Sequence, residues 1–161
     1  LNEFLAHEIA LTYRDLYPLS VIIVDLDCFK IINDTYGHAA GDQVLMRAAE
    51  VLKQNVRAID CVGRFGGEEF LIILSNCDEQ EAKEVANRYR SMLEKHPVQI
   101  GDDVIYVTGS FGVTTISPSN TSQFDLQRDL DQIINMADKA LYDAKNQGRN
   151  CVKFLAMSDG A

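Results

Sequence analysis

Apolar residues recur at helical spacing in five segments of the chain. The helices are predicted at residues 1–13, 29–34, 41–55, 79–95 and 129–146. In the first of these, Leu5 and Ile9 share one face with Leu1, as expected for a helix that packs on a core. The short second helix is followed by Gly37, which predicts that it stops there.

Runs of β-branched and aromatic residues between the helices predict a sheet. The strands are predicted at residues 20–26, 61–64, 70–74, 102–116 and 151–154. Residues 20–26, SVIIVDL, are apolar on both faces, which is typical of a central strand. In the long fourth strand, Gly109 and Gly112 suggest a β-bulge. After the first helix, the order β-α-α-β-β-α-β-α-β indicates an α+β fold with a mainly antiparallel central sheet flanked by helices.

Length and composition narrow the class of protein. The 161 residues, 47% of them apolar, fit one domain spanning residues 1–161. No apolar run approaches membrane-spanning length, so no membrane contact is expected from this domain. The net charge of −9 argues against a nucleic-acid surface but leaves room for a small phosphorylated ligand. Four cysteines without a CxxC pair, and three histidines without zinc spacing, predict free thiols in a reducing cytoplasm.

Four acidic residues lie at the ends of predicted strands. Asp25 ends the most hydrophobic strand and Asp27 follows it, while Glu68 and Glu69 occupy the corner of the predicted hairpin. An unpartnered carboxylate at the edge of a core costs on the order of several kcal/mol, so a positive partner is expected. Oxygen ligands from two strand ends are typical of a magnesium site. The alternative is that each acid pairs with a nearby cation such as Arg64 or Lys30.

Gly66 and Gly67 precede the two glutamates in the segment RFGGEEFLIIL. Paired glycines permit positive φ, and they let a ligand approach the backbone where a Cβ atom would collide. Hairpins also favour glycine for purely structural reasons. The combination with two glutamates is what favours a functional interpretation.

The segment CFKIINDTYGHAAGD offers a second set of polar groups after the central strand. Backbone amides at the start of a helix bind anions, and Lys30 lies in that first turn. Asn33 and Asp42 have the groups to recognise guanine, since an amide donates and accepts while a carboxylate accepts from the N1–H and amino groups. Two alternatives stay open: Asp42 stabilises a helix dipole, and Asn33 caps a turn.

Three ordered blocks of sequence carry a resemblance to a known family. They read DLDCFKIINDTYGHAAGD, RFGGEEF and ADKALYDAKNQGRN, and with them the chain resembles the GGDEF family, the diguanylate cyclases. The blocks cover nearly the whole chain. The signature loop, Gly66-Gly67-Glu68-Glu69-Phe70, is a form of GG-[DE]-EF associated with activity. The resemblance implies the ferredoxin-like, palm-type nucleotide cyclase fold.

The resemblance also implies roles for individual residues. Asp25 and Glu68 would hold two Mg²⁺ ions, with Mn²⁺ as an alternative, and the Leu26 carbonyl would add a backbone ligand. Glu69 would lie by the reacting centre. The implied substrate-binding residues are Phe29, Lys30, Asn33, Asp42, Gly66, Gly67, Lys145 and Arg149.

The implied substrate is GTP. Asn33 and Asp42 would recognise guanine, and Lys30, Lys145 and Arg149 would meet the triphosphate. Two GTP molecules would condense into cyclic di-GMP and two pyrophosphates, with each 3′-hydroxyl attacking the α-phosphorus of the other nucleotide. Metal ions would lower the pKa of the hydroxyl and neutralise the growing charge. Because one domain offers one nucleotide site, a C₂ homodimer is expected.

Arg57 and Asp60 form an RxxD pair that five residues separate from Gly66. In the family this spacing marks an inhibitory site for cyclic di-GMP, and Arg88 is a further candidate ligand there. Arginine forms paired hydrogen bonds to phosphates and guanine edges, and aspartate accepts from guanine N–H groups. The alternative is an exposed i,i+3 salt bridge, worth at most about 1 kcal/mol.

Family members usually begin with a segment close to DxLTGLxNRR, whereas this chain begins with LNEFLAH. We therefore expect an N-terminally truncated piece of a longer protein, without its sensory or dimerisation module. Weak, concentration-dependent turnover is expected from such a piece. A cytoplasmic location is expected for the domain, and a membrane anchor upstream is compatible with it.

Three other functions compete with a diguanylate cyclase. The first is a catalytically weak regulatory module that binds GTP or cyclic di-GMP without turnover. The second is another palm-type enzyme, a purine nucleotide cyclase or a polymerase. The third is an interaction domain whose acidic residues are simply solvated. Identification of the product formed from GTP and Mg²⁺ separates the first two, and binding of GTP tests the third.

Overall fold

The computed structural model describes residues 1–157, and this part of the chain contains five α-helices and seven β-strands. In chain order they are α1 (Asn2–Asp15), β1 (Leu19–Leu26), α2 (Phe29–Tyr36), α3 (His38–Lys53), β2 (Cys61–Arg64), β3 (Glu69–Ser75), α4 (Glu79–Lys95), β4 (Val98–Ile100), β5 (Asp103–Ile105), β6 (Gly109–Ile116), α5 (Leu126–Asn146) and β7 (Val152–Phe154).

Five of the strands form one sheet in the order β2-β3-β1-β6-β7. The central strand β1 is antiparallel to both β3 and β6, and β2 is antiparallel to β3. Only the last pair in this sheet, β6 with β7, is parallel. The predicted α+β fold with a mainly antiparallel sheet is therefore confirmed.

Each face of the sheet is covered by its own apolar core. All eight residues of β1 are buried, and its side chains alternate between the two faces. Ile22 and Val24 belong to the cluster that helices α2, α3 and α4 cover, whereas Val21 and Ile23 belong to the cluster beneath α1 and α5. By this alternation Asp25, at the end of β1, projects on the side of α5.

The predicted long strand at residues 102–116 is wrong. The structure divides this segment into β5 and β6, and β5 pairs with a strand that the prediction missed, β4, in a separate two-stranded hairpin. Gly101, with a φ of 58°, makes the turn of that hairpin. The alternation of residues continues through the break, so periodicity alone could not reveal it.

The predicted β-bulge is also wrong, because β1 and β6 pair one to one from Leu19↔Ile116 to Leu26↔Gly109. Gly112 serves a different purpose. A Cβ atom there would lie 2.1 Å from the Ala137 carbonyl oxygen and 2.3 Å from the Leu141 nitrogen. The absence of a side chain therefore lets α5 lie directly against the sheet.

Two helices begin earlier than predicted. Helix α3 begins at His38 rather than at Gly41. Helix α5 begins at Leu126, three residues before the predicted start at Asp129. The side chain of Asp125 accepts a hydrogen bond from the Arg128 amide at 3.0 Å, which makes Asp125 the N-cap of α5.

Candidate functional site

The register of the sheet brings the predicted acidic residues to one edge. Asp25 is the cross-strand partner of Glu69, at the end of β1 and the start of β3. The Leu26 amide donates to the Glu68 carbonyl at 3.2 Å, which continues the pairing by one residue. Directly opposed residues of an antiparallel pair project to the same face. Asp25 and Glu69 therefore lie side by side on the face that α5 covers. We call this strand edge, with Asp25, Glu68 and Glu69, the acidic corner.

Lys145 of α5 supplies the positive charge that Asp25 requires. Its Nζ lies 2.7 Å from Asp25 Oδ2, and the Asp25 side chain is only 10% exposed. The alternative interpretation, that an acid pairs with a cation, thus holds for Asp25, although the partner is neither Arg64 nor Lys30. Because Lys145 is itself a predicted phosphate ligand, the pair joins two predicted site residues.

The environment of the corner raises the pKa of the Glu69 carboxyl. Burial raises the pKa of the Glu69 carboxyl above its ordinary value of 4.5, and the charges of Asp25, Asp138 and Glu68 raise it further. The Lys145 ammonium acts in the opposite direction and lowers this pKa. The corner therefore holds more negative charge than its own cations balance, which favours a bound cation.

The residues at this edge fit a divalent cation that shares its coordination with a substrate. Asp25 and Glu68 supply carboxylate oxygens and Leu26 a carbonyl oxygen, the hard donors that Mg²⁺ prefers. Within residues 1–157 no group of three or more His, Cys, Asp or Glu side chains forms a complete metal site. Mg²⁺ typically binds through one or two carboxylates and completes its coordination with water and phosphates, so such a partial set suits it.

The glycine pair shapes the same corner. Neither Gly66 nor Gly67 has a positive φ, so the turn does not use the positive φ that glycine permits. A Cβ atom on Gly67 would meet nothing within 4 Å, whereas one on Gly66 would lie 2.6 Å from Glu69 Oε2. Arg64 holds the turn, because its guanidinium donates to the Gly67 carbonyl at 2.6 Å and to the Gly66 carbonyl at 3.2 Å. The Gly67 backbone is thus held in place by Arg64, and the space where a side chain would lie is open.

Asp27 follows Asp25 by two residues but makes a different set of contacts from the other acids. It is 8% exposed, and its oxygens accept three hydrogen bonds from within the protein. The donors are the Thr108 hydroxyl at 2.7 Å, the Ser110 hydroxyl at 2.6 Å and the Asn150 amide at 2.9 Å. A carboxylate engaged in this way has little capacity left for a metal ion.

Asn33 and Asp42 lie on adjacent helices, and neither structural alternative explains them. Asn33 Oδ1 is buried without a hydrogen-bond partner among the described residues, so the side chain does not cap a turn. Gly41 makes room for it, since a Cβ atom at Gly41 would lie 1.8 Å from Asn33 Oδ1. Asp42 is exposed and lies beyond the first turn of α3, where a helix dipole has little effect. The Asn33 Oδ1 atom and the Asp42 carboxylate are therefore both available to accept hydrogen bonds from a ligand.

A cavity of about 490 Å³ lies beside Asp42, between α3 and β2. Its floor is mainly apolar, formed by Leu45, Ala49 and Phe70 among others. Arg64 and Lys53 also line it. A flat apolar group with a polar edge, such as a purine base, matches a cavity of this kind.

The remaining predicted substrate residues are distributed around the corner. Phe29 is buried in the core, so only its backbone is available to a ligand. Lys30 is exposed in the first turn of α2, whose N-terminus has no side-chain cap. Arg149 is exposed and has a left-handed φ of 62° in the turn after α5.

The RxxD pair lies away from the acidic corner, at the far end of β3. The Asp60 side chain is 2% exposed and accepts from Arg57 Nε at 2.9 Å and Nη2 at 3.0 Å. Arg57 also donates to the Ser75 carbonyl at 2.7 Å, and its side chain is half exposed. The i,i+3 salt bridge considered as an alternative is therefore present, with its arginine half exposed and its aspartate side chain buried.

Arg88 lies near this pair by way of Tyr89. The Arg88 guanidinium lies 5.7 Å from the centre of the Tyr89 ring. Burial raises the pKa of the Tyr89 hydroxyl, and the charges of Arg88, Asp60 and Arg57 all act on it. The charges of all three predicted inhibitory-site residues therefore act on the same tyrosine hydroxyl.

Sequence reasoning missed two contributors to the acidic corner. Arg64 was considered as a partner for the acids, yet it stabilises the glycine turn instead. Asp138 was not considered, although its charge acts on Glu69. Its position seven residues before Lys145 on α5, two helical turns away, was the available signal.

Residues 1–151 match the family described as "Diguanylate cyclase, GGDEF domain". The chain is 43% identical to diguanylate cyclase A of Treponema denticola over 83% of this chain and 34% of that protein. It is 40% identical to diguanylate cyclase DosC of Escherichia coli over 94% of this chain and 31% of that protein. The chain thus spans about a third of these curated relatives.

Solved structures agree in fold. Diguanylate cyclase SiaD of Pseudomonas aeruginosa, solved with its activator SiaC, matches 95% of this chain and 56% of that chain with a TM-score of 0.85 and 36% identity. The active GGEEF domain of a Vibrio cholerae diguanylate cyclase matches 96% of this chain and 92% of that chain, with a TM-score of 0.78 and 31% identity. Within residues 1–157 no helix has both the length and the apolar character to cross a membrane. The chain belongs to the GGDEF family.

Proposed function

We propose that this domain is a diguanylate cyclase, which condenses two GTP molecules into cyclic di-GMP and two pyrophosphates. The observation that carries the proposal is the strand edge at which Asp25 and Glu69 face each other and Lys145 contacts Asp25. Relatives named diguanylate cyclase, at 40% and 43% identity, support the same reaction. The substrate, the partner copy and the regulation described below are parts of this proposal.

Asp25, Glu68 and the Leu26 carbonyl are the residues that would hold Mg²⁺, two ions per active site, with Mn²⁺ as an alternative. When bound, the metal supplies Lewis acidity and neutralises phosphoryl charge. Glu69 lies beside these groups. It lies directly opposite Asp25 across the strand pair, so we assign it the proton of the attacking 3′-hydroxyl.

Guanine recognition is assigned to Asn33 and Asp42. The buried, unpartnered Asn33 Oδ1 accepts a donor that the protein does not provide, and the Asp42 carboxylate accepts from N1–H and the exocyclic amine. The apolar cavity beside Asp42 accommodates the faces of the purine. A base that presents two donors in a row satisfies this arrangement, which favours guanine over adenine.

The triphosphate is assigned to Lys30, Lys145 and Arg149. The Lys145 ammonium contacts Asp25 at 2.7 Å in this structure. It can donate to a phosphate oxygen as a second anionic partner. Lys30 stands at the N-terminus of α2, where backbone amides favour an anion as well. The Phe29 backbone and the open surface above Gly67 complete the nucleotide site.

Catalysis requires two copies of the domain. Each copy has one acidic corner and one guanine pocket, whereas the product contains two phosphodiester bonds formed between two nucleotides. A C₂ homodimer that apposes two corners supplies both reaction centres. We place this assembly in the cytoplasm, under the control of a module in the longer protein.

Product inhibition is assigned to Arg57, Asp60 and Arg88. Arg57 is half exposed and already oriented by Asp60, so its free edge is ready for a guanine or a phosphate. We therefore assign Arg57 and Arg88 to contact with cyclic di-GMP and Asp60 to the orientation of Arg57. In the assay below, Arg57→Ala should relieve inhibition by added cyclic di-GMP without lowering the initial rate.

The product assay tests the proposal. The chain is incubated with GTP and Mg²⁺ and the nucleotides are identified by chromatography and mass spectrometry, beside Asp25→Asn, Glu68→Gln and, as a control, the exposed Glu84→Gln. We expect cyclic di-GMP from the parent chain and the control, and a loss of at least about 100-fold in both site variants, the scale on which removal of one electrostatic group acts. GTP binding without any product would instead support the regulatory module.

A further inference from the structure

Asp27 is a buried carboxylate that the proposed reaction does not use. It sits two residues beyond Asp25, and its oxygens accept from two different parts of the chain. Thr108 immediately precedes β6, and Ser110 is the second residue of that strand. The third donor, the Asn150 amide, belongs to the turn between α5 and β7.

This turn has an unusual backbone. Gly148, Arg149 and Asn150 have φ values of 106°, 62° and 44°, so three consecutive residues are left-handed. Non-glycine residues adopt this conformation only where surrounding contacts fix it. The Asn150 side chain contributes such contacts, since Arg90 Nη1 donates to its Oδ1 and its Nδ2 donates to Glu94 Oε1, both at 3.2 Å. Asp27 holds the backbone of the same residue.

The turn carries one proposed phosphate ligand, Arg149, and is hydrogen-bonded to the helix that carries another, Lys145. Arg149 is adjacent to the amide that Asp27 binds, and its own amide donates to the Ala144 carbonyl at 3.1 Å, which ties the turn back to α5. Lys145 is the residue after Ala144. The Asp27 carboxylate therefore connects the strand that carries Asp25 to the segment that carries both cations.

We propose that Asp27 is a positioning residue for the triphosphate. It fastens the turn at residues 147–150 to the sheet edge and so holds Arg149 and Lys145 toward the nucleotide. This inference rests on the proposed function, because the ligand it concerns is the GTP triphosphate. The hydrogen bonds from Thr108 and Ser110 would suffice for a residue that only stabilised the sheet. Asp27 also accepts a hydrogen bond from the Asn150 amide, which belongs to the turn.

The test compares variants that cut different bonds of Asp27. Asp27→Ala removes all three, while Asp27→Asn keeps a neutral oxygen that can still accept from the Asn150 amide. Ser110→Ala is the matched control, since it removes one buried bond to Asp27 and leaves the bond to the turn. Backbone hydrogen exchange at residues 145–151 and the Kd for GTP with Mg²⁺ are measured for each folded variant.

We expect exchange at Asn150 to rise about 100-fold in Asp27→Ala and about 10-fold in Asp27→Asn, with less than a twofold change in Ser110→Ala. The Kd for GTP should weaken in the same order, by about 10-fold or more in Asp27→Ala, while melting temperature falls in Ser110→Ala as well. If Asp27→Ala does not fold, the contrast between Asp27→Asn and Ser110→Ala decides.

Unchanged exchange in the turn, or an unchanged Kd in the variants that loosen it, would contradict the role of Asp27. Failure of the parent chain to bind GTP would contradict the proposed function, and the exchange measurement would still report on the turn. The two failures are therefore distinguishable.

Discussion

Replacement of Gly67 by alanine should separate the stability of the domain from its affinity for nucleotide. A Cβ atom at Gly67 meets nothing within 4 Å and the φ of this residue is not left-handed, so the added methyl group causes no strain. At such positions Gly→Ala stabilises a protein by about 0.4–1 kcal/mol, because it restricts the unfolded chain. For a domain of this size that corresponds to a rise in Tm of about 1–4 °C.

The expected effect on binding has the opposite sign. If the nucleotide lies against the turn, the methyl group occupies the space of the ligand, and the Kd for GTP with Mg²⁺ should weaken at least about tenfold, which corresponds to about 1.4 kcal/mol. Differential scanning fluorimetry gives Tm and isothermal titration calorimetry gives Kd.

The matched control for this experiment is Gly101→Ala. Gly101 also has open space around it, but its φ is 58°, so alanine there should lower Tm and leave the Kd unchanged. A Gly67→Ala variant with the affinity of the parent chain would refute the reasoning, because the open surface above the turn would then not be the nucleotide site.

Two further predictions concern the sheet and the acidic corner. Gly112→Ala should destabilise the domain by more than about 3 kcal/mol or prevent folding, because its Cβ atom would lie 2.1 Å from a backbone oxygen of α5. Chemical denaturation measures the change in unfolding free energy. A loss below about 1 kcal/mol would contradict the direct contact between α5 and the sheet. Without metal, Glu69→Gln should stabilise the domain at neutral pH by less than about 1 kcal/mol, since the carboxyl is partly solvated. Because the pKa of Glu69 is raised, the folded state binds more protons than the unfolded state as the pH rises above 4.5, and the stability of the parent chain falls over this range. Melting curves from pH 4 to 8 should therefore show the Tm of Glu69→Gln rising relative to that of the parent chain.

The acidic corner was predictable from sequence because its geometry follows from pairing. Asp25 ends a strand that is apolar throughout, and the two glutamates stand at a hairpin corner, so an antiparallel neighbour brings them together. The partner of Asp25 was not predictable in the same way. Lys145 lies 120 residues further along the chain, and only the packing of α5 on the sheet brings it within 2.7 Å.

The two carboxylates at positions 25 and 27 show a second limit of sequence reasoning. They are alike in type and two residues apart, yet one faces Lys145 and the other receives hydrogen bonds from Thr108, Ser110 and Asn150. Side-chain alternation does not distinguish them, because the strand ends between them at Leu26. Their different roles arise from what β6 and the turn after α5 place around each.

The contact between Asp25 and Lys145 also bears on how the protein is made. During synthesis β1, β2 and β3 leave the ribosome long before α5, so a nascent chain lacks the ammonium group that neutralises its most buried strand-end acid. The contact between Asp25 and Lys145 can form only after nearly the whole domain has emerged. Under the proposed function, an incomplete polypeptide would therefore make no cyclic di-GMP, and synthesis would be restricted to completed domains.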